Sequence, residues 1–162
     1  MKSDRIFIGI DPGKSGAMAI LGSNSDDANI IRFASCDGRD AIYELDRLMF
    51  WYYDRNPIAI LEHVHSMPKQ GVASTFSFGE NFGWWRGVLE SLKIAYELVR
   101  PQVWKKAMGC NSDKNTSIQV AQRLFPKVNL AISDRATKPN DGMAEALLMA
   151  EYARRKHGQR VY

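Results

Sequence analysis

Two acidic residues, Asp11 and Glu62, each end a short apolar run, and two more, Asp141 and Glu145, lie four residues apart at the start of the last helical pattern. Burying an unpaired carboxylate is costly, so an acid at the end of an apolar segment needs a partner or a metal ion. Residues four apart on a helix share a face, so Asp141 and Glu145 would point the same way. We therefore expect the four carboxylates to converge on one site.

Converging carboxylates repel one another unless a cation lies between them. An all-oxygen site suits Mg²⁺ or Mn²⁺, whereas zinc favours histidine and cysteine ligands. Two such ions would serve phosphodiester hydrolysis, since one activates the attacking water and the other stabilises the departing oxygen. The acids therefore predict a site for Mg²⁺ or Mn²⁺, with two ions per site.

Each acid taken alone has a simpler structural explanation. Asp11 could cap a turn, Glu62 could pair with an arginine, and Asp141 lies where acids stabilise a helix start. Glu145 could be a surface acid beside a basic side chain. Only the occurrence of all four at the ends of separate segments favours a functional site.

The elements that must position these acids follow from the hydrophobic pattern. Short β-rich apolar runs predict strands, and apolar residues three or four apart predict helices. Their order predicts an α/β domain with a mixed five-stranded sheet, in which the first three strands form an antiparallel meander and the first and fourth lie side by side. The predicted strands are 5–11, 16–22, 30–34, 58–61 and 96–99, and the predicted helices are 40–53, 73–92, 101–108, 114–124 and 141–156.

The second predicted helix carries Gly79, Gly83 and Gly87, which form one row on its surface. A glycine inside a helix costs roughly 1 kcal/mol relative to alanine, so the row needs a reason. We favour tight packing of the row on the sheet. Close approach of a second helix or of a DNA backbone is the alternative.

The composition is that of an ordinary globular protein, with 162 residues of which 45% are hydrophobic and 25% charged. We expect one domain over residues 1–162. A net charge of +4 fits a nucleic-acid partner without requiring one. The apolar runs are too short for a membrane span and no secretory signal opens the sequence, so we expect a cytoplasmic protein without a membrane partner.

The turn after Asp11 also admits a different class of protein. Its sequence, Asp-Pro-Gly-Lys-Ser-Gly, is similar to the phosphate-binding turn of sugar-kinase and actin-like ATPases. The glycine spacing of a phosphate loop is absent, however, and such ATPases need two copies of the domain. We therefore expect no nucleotide cofactor.

Five sequence blocks occur in an order typical of a known family: IFIGIDPGKSG, LEHVHSMPKQG, RPQVWKKAMG, SDKNTSIQVAQRLFP and DGMAEALLMAEYARR. Together they resemble the RuvC family of Holliday-junction resolvases, particularly its compact phage-encoded branch, over roughly residues 5–155. The resemblance implies an RNase H-like fold and a homodimer. It also implies a metal-dependent endonuclease, each subunit of which nicks one strand of a four-way DNA junction.

The resemblance assigns roles to acidic and basic residues. The four carboxylates match the family's metal-binding cluster. Lys114, and either Lys105 or Lys106, match basic residues near its site, where a cation would neutralise charge on the attacked phosphate. The matched positions are Asp11, Glu62, Asp141 and Glu145 for the carboxylates, Lys114 for the catalytic lysine, and Lys105 and Lys106 for DNA contacts.

The loop after Glu62 and the helix start that follows would, by the same resemblance, contact the junction. Small polar groups and a lysine at a helix N-terminus suit contacts to phosphate, and a capped, solvated helix start is the alternative. The predicted contacts in this segment are Ser66, Met67, Lys69, Gln70, Ser74 and Thr75.

The chain departs from the family in three respects. The family's final acidic pair is commonly three residues apart with another residue type first, whereas Asp141 and Glu145 are four apart. The last acid is Glu145 where the family usually has aspartate, and His65 stands where cellular RuvC carries an aromatic residue that engages bases. The sequence preference at the cut site therefore stays open. Two other activities stay open, which are cleavage of flaps or RNA–DNA hybrids by the same site and junction binding without catalysis.

Overall fold

The structure is a computed structural model, and it describes residues 5–23, 26–33, 39–51, 55–63, 65, 71–133 and 135–158. Five strands and five helices follow one another along these residues. The strands are β1 (Ile6–Ile10), β2 (Ala17–Gly22), β3 (Ala28–Arg32), β4 (Ile58–Glu62) and β5 (Ala95–Val99). The helices are α1 (Arg39–Trp51), α2 (Val72–Ser91), α3 (Pro101–Met108), α4 (Lys114–Leu124) and α5 (Asp141–His157).

The strands form one mixed sheet in the order β3-β2-β1-β4-β5. β1, β2 and β3 are joined antiparallel, as the predicted meander requires, and β1 pairs in parallel with β4. Ile10 lies opposite Leu61 in this parallel pair. The carboxyl ends of β1 and β4 therefore meet at one edge of the sheet, and Asp11 and Glu62 emerge there side by side.

Both faces of the sheet are covered by helices. Phe7 of β1 belongs to the core layer shared with α3, α4 and α5, whereas Ile8 and Ile10 belong to the layer shared with α1 and α2. Since neighbouring residues of a strand point to opposite faces, a strand covered on both sides is apolar throughout. This explains why β1 shows no alternation of apolar and polar residues.

Helix α5 lies directly on β1, and two glycines allow the close approach. A Cβ atom added at Gly9 would lie 2.1 Å from the carbonyl oxygen of Ala146 and 2.4 Å from the backbone nitrogen of Ala150. One added at Gly142 would lie 2.2 Å from the carbonyl oxygen of Ser15. The first turn of α5 is thereby held against the turn that follows β1, where Asp11 lies.

The expected packing of the α2 glycine row on the sheet is wrong. A Cβ atom at Gly79, Gly83 or Gly87 would have no neighbour within 4 Å among the described residues. The buried residues of α2 include Trp85 and Leu89, which lie on the opposite side of the helix. The glycine row therefore faces outward.

Two smaller points concern the predicted elements. β3 begins two residues earlier than the predicted strand 30–34, because Ala28 and Asn29 already pair with Leu21 and Ile20 of β2. In the part of the chain that the structure describes, no helix is both long and apolar enough to cross a membrane.

Replacing Gly9 by alanine should destabilise the fold strongly. The added methyl group would overlap backbone atoms of α5, which cannot yield as a flexible side chain does, so we expect a loss of about 3 kcal/mol or more in the free energy of unfolding. Urea denaturation measures this loss. Gly71→Ala is the matched control, because its methyl group meets no described atom within 4 Å and the change of helix cap costs only about 0.5–1 kcal/mol. Equal stabilities of the two variants would contradict the contact between β1 and α5.

Candidate active site

Asp11 is held by the tight turn that connects β1 to β2. Its backbone N–H donates to Ala17 O at 3.0 Å, and Gly13 N–H donates to its side-chain Oδ1 at 3.1 Å. Gly16 packs against it so closely that an added Cβ would lie 2.0 Å from Asp11 O. Asp11 therefore does cap a turn, as the simpler explanation had it, and this cap fixes its carboxylate at the sheet edge.

Glu62 is the last residue of β4, and only 8% of its surface is exposed. It follows Ile60 by two positions, so it points to the same face as Ile60, towards α3, α4 and α5. Its Oε1 accepts a hydrogen bond from Trp104 Nε1 at 2.9 Å. Within the described part of the chain, the partner of Glu62 is thus an indole rather than the arginine of the simpler explanation.

The first turns of α5 bring the remaining two acids to the same edge. Asp141 is the first residue of the helix, and its Oδ2 accepts a hydrogen bond from Lys114 Nζ at the start of α4. Glu145 is 8% exposed, and its Oε1 accepts from Lys105 Nζ at 2.7 Å and from Ser117 Oγ at 3.3 Å. Both carboxylates are therefore paired with a lysine.

The charges of the four acids act on one another. Burial raises the pKa of Asp11 to about 6, and the charges of Glu145 and Asp141 add to this rise against the opposing hydrogen bond from Gly13. Burial likewise raises the pKa of Glu62 to about 7, with further contributions from the charges of Asp11 and Glu145. The structure therefore brings all four predicted carboxylates into one electrostatic cluster.

Asp141 behaves differently from the other acids. Burial acts to raise its pKa, but the hydrogen bond and positive charge of Lys114 outweigh that effect and hold the pKa below its usual value. The same pairing raises the pKa of Lys114. Asp141 is therefore ionised at neutral pH, whereas burial and the neighbouring acids raise the pKa values of Asp11 and Glu62.

The structure separates the three predicted lysines. The side chain of Lys105 is 17% exposed and contacts Glu145, whereas Lys106 is exposed. The side chain of Lys114 remains 73% exposed although it binds Asp141. Lys105 is therefore a half-buried partner within the cluster, and Lys114 stands at its opening to solvent.

The chemistry of the donor set fits Mg²⁺ or Mn²⁺, because all the donors are carboxylate oxygens, and burial together with neighbouring negative charge raises the pKa of two of them. As the side chains stand, no three His, Cys, Asp or Glu residues of the described ranges are arranged to hold a metal ion together. Asp141 and Glu145 face lysines instead. Binding of an ion by all four acids would therefore require these two side chains to turn towards Asp11 and Glu62.

The predicted DNA contacts divide into two groups. Ser66, Met67, Lys69 and Gln70 lie outside the described residues. Ser74 and Thr75 lie in the first turn of α2, where Thr75 N–H donates to Gly71 O at 3.0 Å. The N-cap residue of α2 is Gly71, which has no side chain, so the helix start has no side-chain cap.

Two residues of the site were missed by sequence reasoning. Trp104, which is fully buried, binds Glu62, and Ser117, also fully buried, binds Glu145. A signal was available for Trp104, since a buried indole N–H needs an acceptor and the next residue in the chain is a candidate site lysine. No signal in the sequence distinguishes Ser117 from other helical serines.

The fold is similar to solved structures of RuvC. One is RuvC from Thermus thermophilus, with a TM-score of 0.56 and 15% identity over 93% of this chain and 96% of that chain. Another is T. thermophilus RuvC in complex with Holliday junction substrate, with a TM-score of 0.53 and 13% identity over 90% of each chain. No protein-family model and no curated protein sequence matches this chain.

At this level of identity the likeness establishes the fold. The mixed five-stranded sheet with helices on both faces is the RNase H-like fold that these structures share. The predicted fold class is thereby confirmed.

Replacing Asp11 by asparagine should stabilise the protein at pH 8 in the absence of divalent ions. The folded protein keeps its proton on Asp11 up to about pH 6, whereas the unfolded chain loses it near the ordinary value of 3.8, so stability falls as the pH rises through this window. The asparagine side chain does not ionise, so it has no such loss, and its amide oxygen can still accept the bond from Gly13. We expect a gain of about 1–3 kcal/mol at pH 8 that disappears below about pH 4.

Urea denaturation between pH 4 and pH 8 measures this difference. Asp113→Asn serves as the control, because Asp113 is an exposed helix cap that accepts from Asn115 N–H and asparagine caps helices equally well. A variant Asp11→Asn that is less stable than the parent protein at pH 8 would contradict the described repulsion.

Proposed function

We propose that this protein is a metal-dependent endonuclease that hydrolyses phosphodiesters in branched DNA, with the four-way junction as its preferred substrate. The observation that carries the proposal is the convergence of four carboxylates and two lysines at one edge of an RNase H-like sheet. Two considerations support the choice of substrate: the resemblance of five sequence blocks to the RuvC family, and a structural neighbour described in complex with a Holliday junction.

In this proposal Asp11, Glu62, Asp141 and Glu145 hold Mg²⁺ or Mn²⁺, two ions per site. When bound, such ions neutralise phosphate charge and lower the pKa of the attacking water. The turn at Gly13 holds one oxygen of Asp11, so its second oxygen is left for this task.

The two lysines have different tasks. Lys105 is nearly enclosed and balances the charge of Glu145, so it preserves the cluster before ions and substrate arrive. Lys114 is exposed at the opening, so its ammonium group can exchange its ion pair with Asp141 for one with a substrate phosphate. We therefore assign the direct assistance of catalysis to Lys114. Lys106 is exposed on α3, and we assign to it a contact with the phosphate backbone of the DNA.

The parent protein should nick a synthetic immobile four-way junction symmetrically in the presence of Mg²⁺ or Mn²⁺. Asp11→Asn should bind the junction with nearly the same affinity but nick it at least about 100-fold more slowly, since several kcal/mol of charge stabilisation are lost. Cleavage mapped strand by strand, with binding measured in Ca²⁺, tests both statements. Asp113→Asn, an exposed acid outside the cluster, should cleave normally.

The possible outcomes distinguish the proposal from its alternatives. Appreciable cleavage by Asp11→Asn would refute the assignment of the site. Preference for a flap or an RNA–DNA hybrid in a side-by-side assay would keep the chemistry and replace the substrate. Tight junction binding by the parent protein without cleavage in either metal would identify a binding protein. Thermal stabilisation by a nucleotide would instead favour the ATPase-like class.

A homodimer is part of the same proposal, because two symmetric nicks need two active sites. The outward glycine row of α2 lies beside exposed Val72 and Phe76, which makes this face a candidate for close contact with a second helix. Phage origin and location in the host cytoplasm stay predictions from the sequence and the resemblance.

Replacing Gly83 by leucine should convert the dimer into a monomer, because the larger side chain would keep two helices apart. Sedimentation equilibrium of the parent protein should give twice the mass of the chain, and that of the variant the mass of one chain. Leucine favours helix, and nothing described lies within 4 Å of this position, so the variant should fold. A parent protein that sediments as a monomer would contradict the dimer. An unchanged mass with lost junction binding would assign the face to DNA.

A further inference from the structure

Trp104 is a fully buried side chain at the base of the carboxylate cluster. Its indole N–H donates to Glu62 Oε1 at 2.9 Å, across 42 positions of the sequence. Tryptophan has this single donor and no acceptor, so the bond uses its whole hydrogen-bonding capacity. The indole is thereby committed to one carboxylate oxygen of the proposed site.

The same indole also contacts the basic partner of a second acid. Lys105 Nζ lies 5.3 Å from the centroid of the Trp104 ring and 2.7 Å from Glu145 Oε1. A cation over an aromatic ring is attracted by the electron-rich face. Two consecutive residues of α3 therefore reach two of the four acids, one through an N–H group and one through an ammonium group.

The position of Trp104 relative to Glu62 is set by the backbone. Glu62 is paired with Val99 in the parallel register of β4 and β5, and His63 N–H donates to Val99 O at 2.8 Å. α3 begins immediately after β5, with Arg100 as its cap and Pro101 at its first position. The first turn of α3 then brings Trp104 back to the end of β4. No long loop separates the paired strands β4 and β5 from the residue that donates the hydrogen bond to Glu62.

We propose that Trp104 is a positioning residue for Glu62. Its indole N–H holds Glu62 Oε1 and so keeps Glu62 Oε2 available for a divalent cation. The inference rests on the proposed metal-dependent site. Within the described residues, Glu62 accepts no other hydrogen bond, so loss of the indole N–H would leave its carboxylate free to rotate. A partner of this kind, bound to a metal ligand, orients the ligand and typically changes metal affinity by about 10- to 100-fold.

A purely structural role would have different consequences. A buried indole could satisfy its N–H with any nearby acceptor, and its ring would then contribute only to the packing of the core. In that case removal of the N–H would lower stability and leave the metal affinity of the folded protein unchanged. The two roles are therefore separable by measuring binding rather than activity.

The test compares Trp104→Phe with Trp85→Phe. Trp85 is 2% exposed and belongs to the core layer on the opposite face of the sheet, so the control removes an equally buried indole away from the acids. Free Mn²⁺ is measured by electron paramagnetic resonance during titration of each protein. We expect at least about 10-fold weaker Mn²⁺ binding by Trp104→Phe and a change of less than about twofold for Trp85→Phe.

A second measurement does not depend on the folding of a tryptophan variant. In ¹⁵N-tryptophan-labelled parent protein, the indole N–H signal of Trp104 should move on addition of Mg²⁺, and it should also move in Glu62→Gln. The signal of Trp85 should stay in place in both experiments, because that residue belongs to the core layer on the opposite face of the sheet from the acids. An indole signal of Trp104 that responds to neither change would overturn the inference.

The outcomes separate this inference from the proposed function. Equal Mn²⁺ affinity of Trp104→Phe and the parent protein, with normal binding by both, would overturn the positioning role and leave the proposed nuclease intact. Absence of Mn²⁺ binding by the parent protein would overturn the proposed function, and the positioning role with it. Weak binding by Trp104→Phe alone, with a moving indole signal, would support both.

Discussion

The direct contact between β1 and α5 is the constraint on which the rest of the structure depends. Because Gly9 has no side chain, the backbone of α5 packs directly on the central strand of the sheet, with no side chain between the two backbones at this position. Gly142 repeats this arrangement at the turn after β1. Helix and strand are thus fixed at their shortest separation, and the acids that each supplies are held close in spite of their repulsion.

That repulsion is only partly compensated. Lys105 and Lys114 each neutralise one acid of α5, whereas the strand acids Asp11 and Glu62 have raised pKa values. Folding energy gained elsewhere in the core must therefore offset two carboxylates that are unfavourable as anions. Such an arrangement is typical of sites that bind cations or protons.

Much of this arrangement could be predicted from the sequence, for a physical reason. Asp11 and Glu62 end apolar strands, and parallel pairing of those strands requires their ends to meet. The orientation of the α2 glycines could also have been predicted, because Trp85 and Leu89 mark the opposite side of that helix as buried. The choice of Lys105 rather than Lys106 as the partner of Glu145 could not, since it depends on how α3 is rotated against α5.

The short helix α3 supplies contacts to the cluster that the sheet and α5 do not. The sheet and α5 deliver the carboxylates, but α3 delivers the contacts that orient Glu62 and balance Glu145. It can do so because it follows β5 without a loop. The pairing of β5 with β4 therefore fixes where the first turn of α3 lies relative to Glu62. A chain could therefore keep the RNase H-like architecture and its acids, and still lose the contacts to Glu62 and Glu145, if the residues of this one helical turn changed.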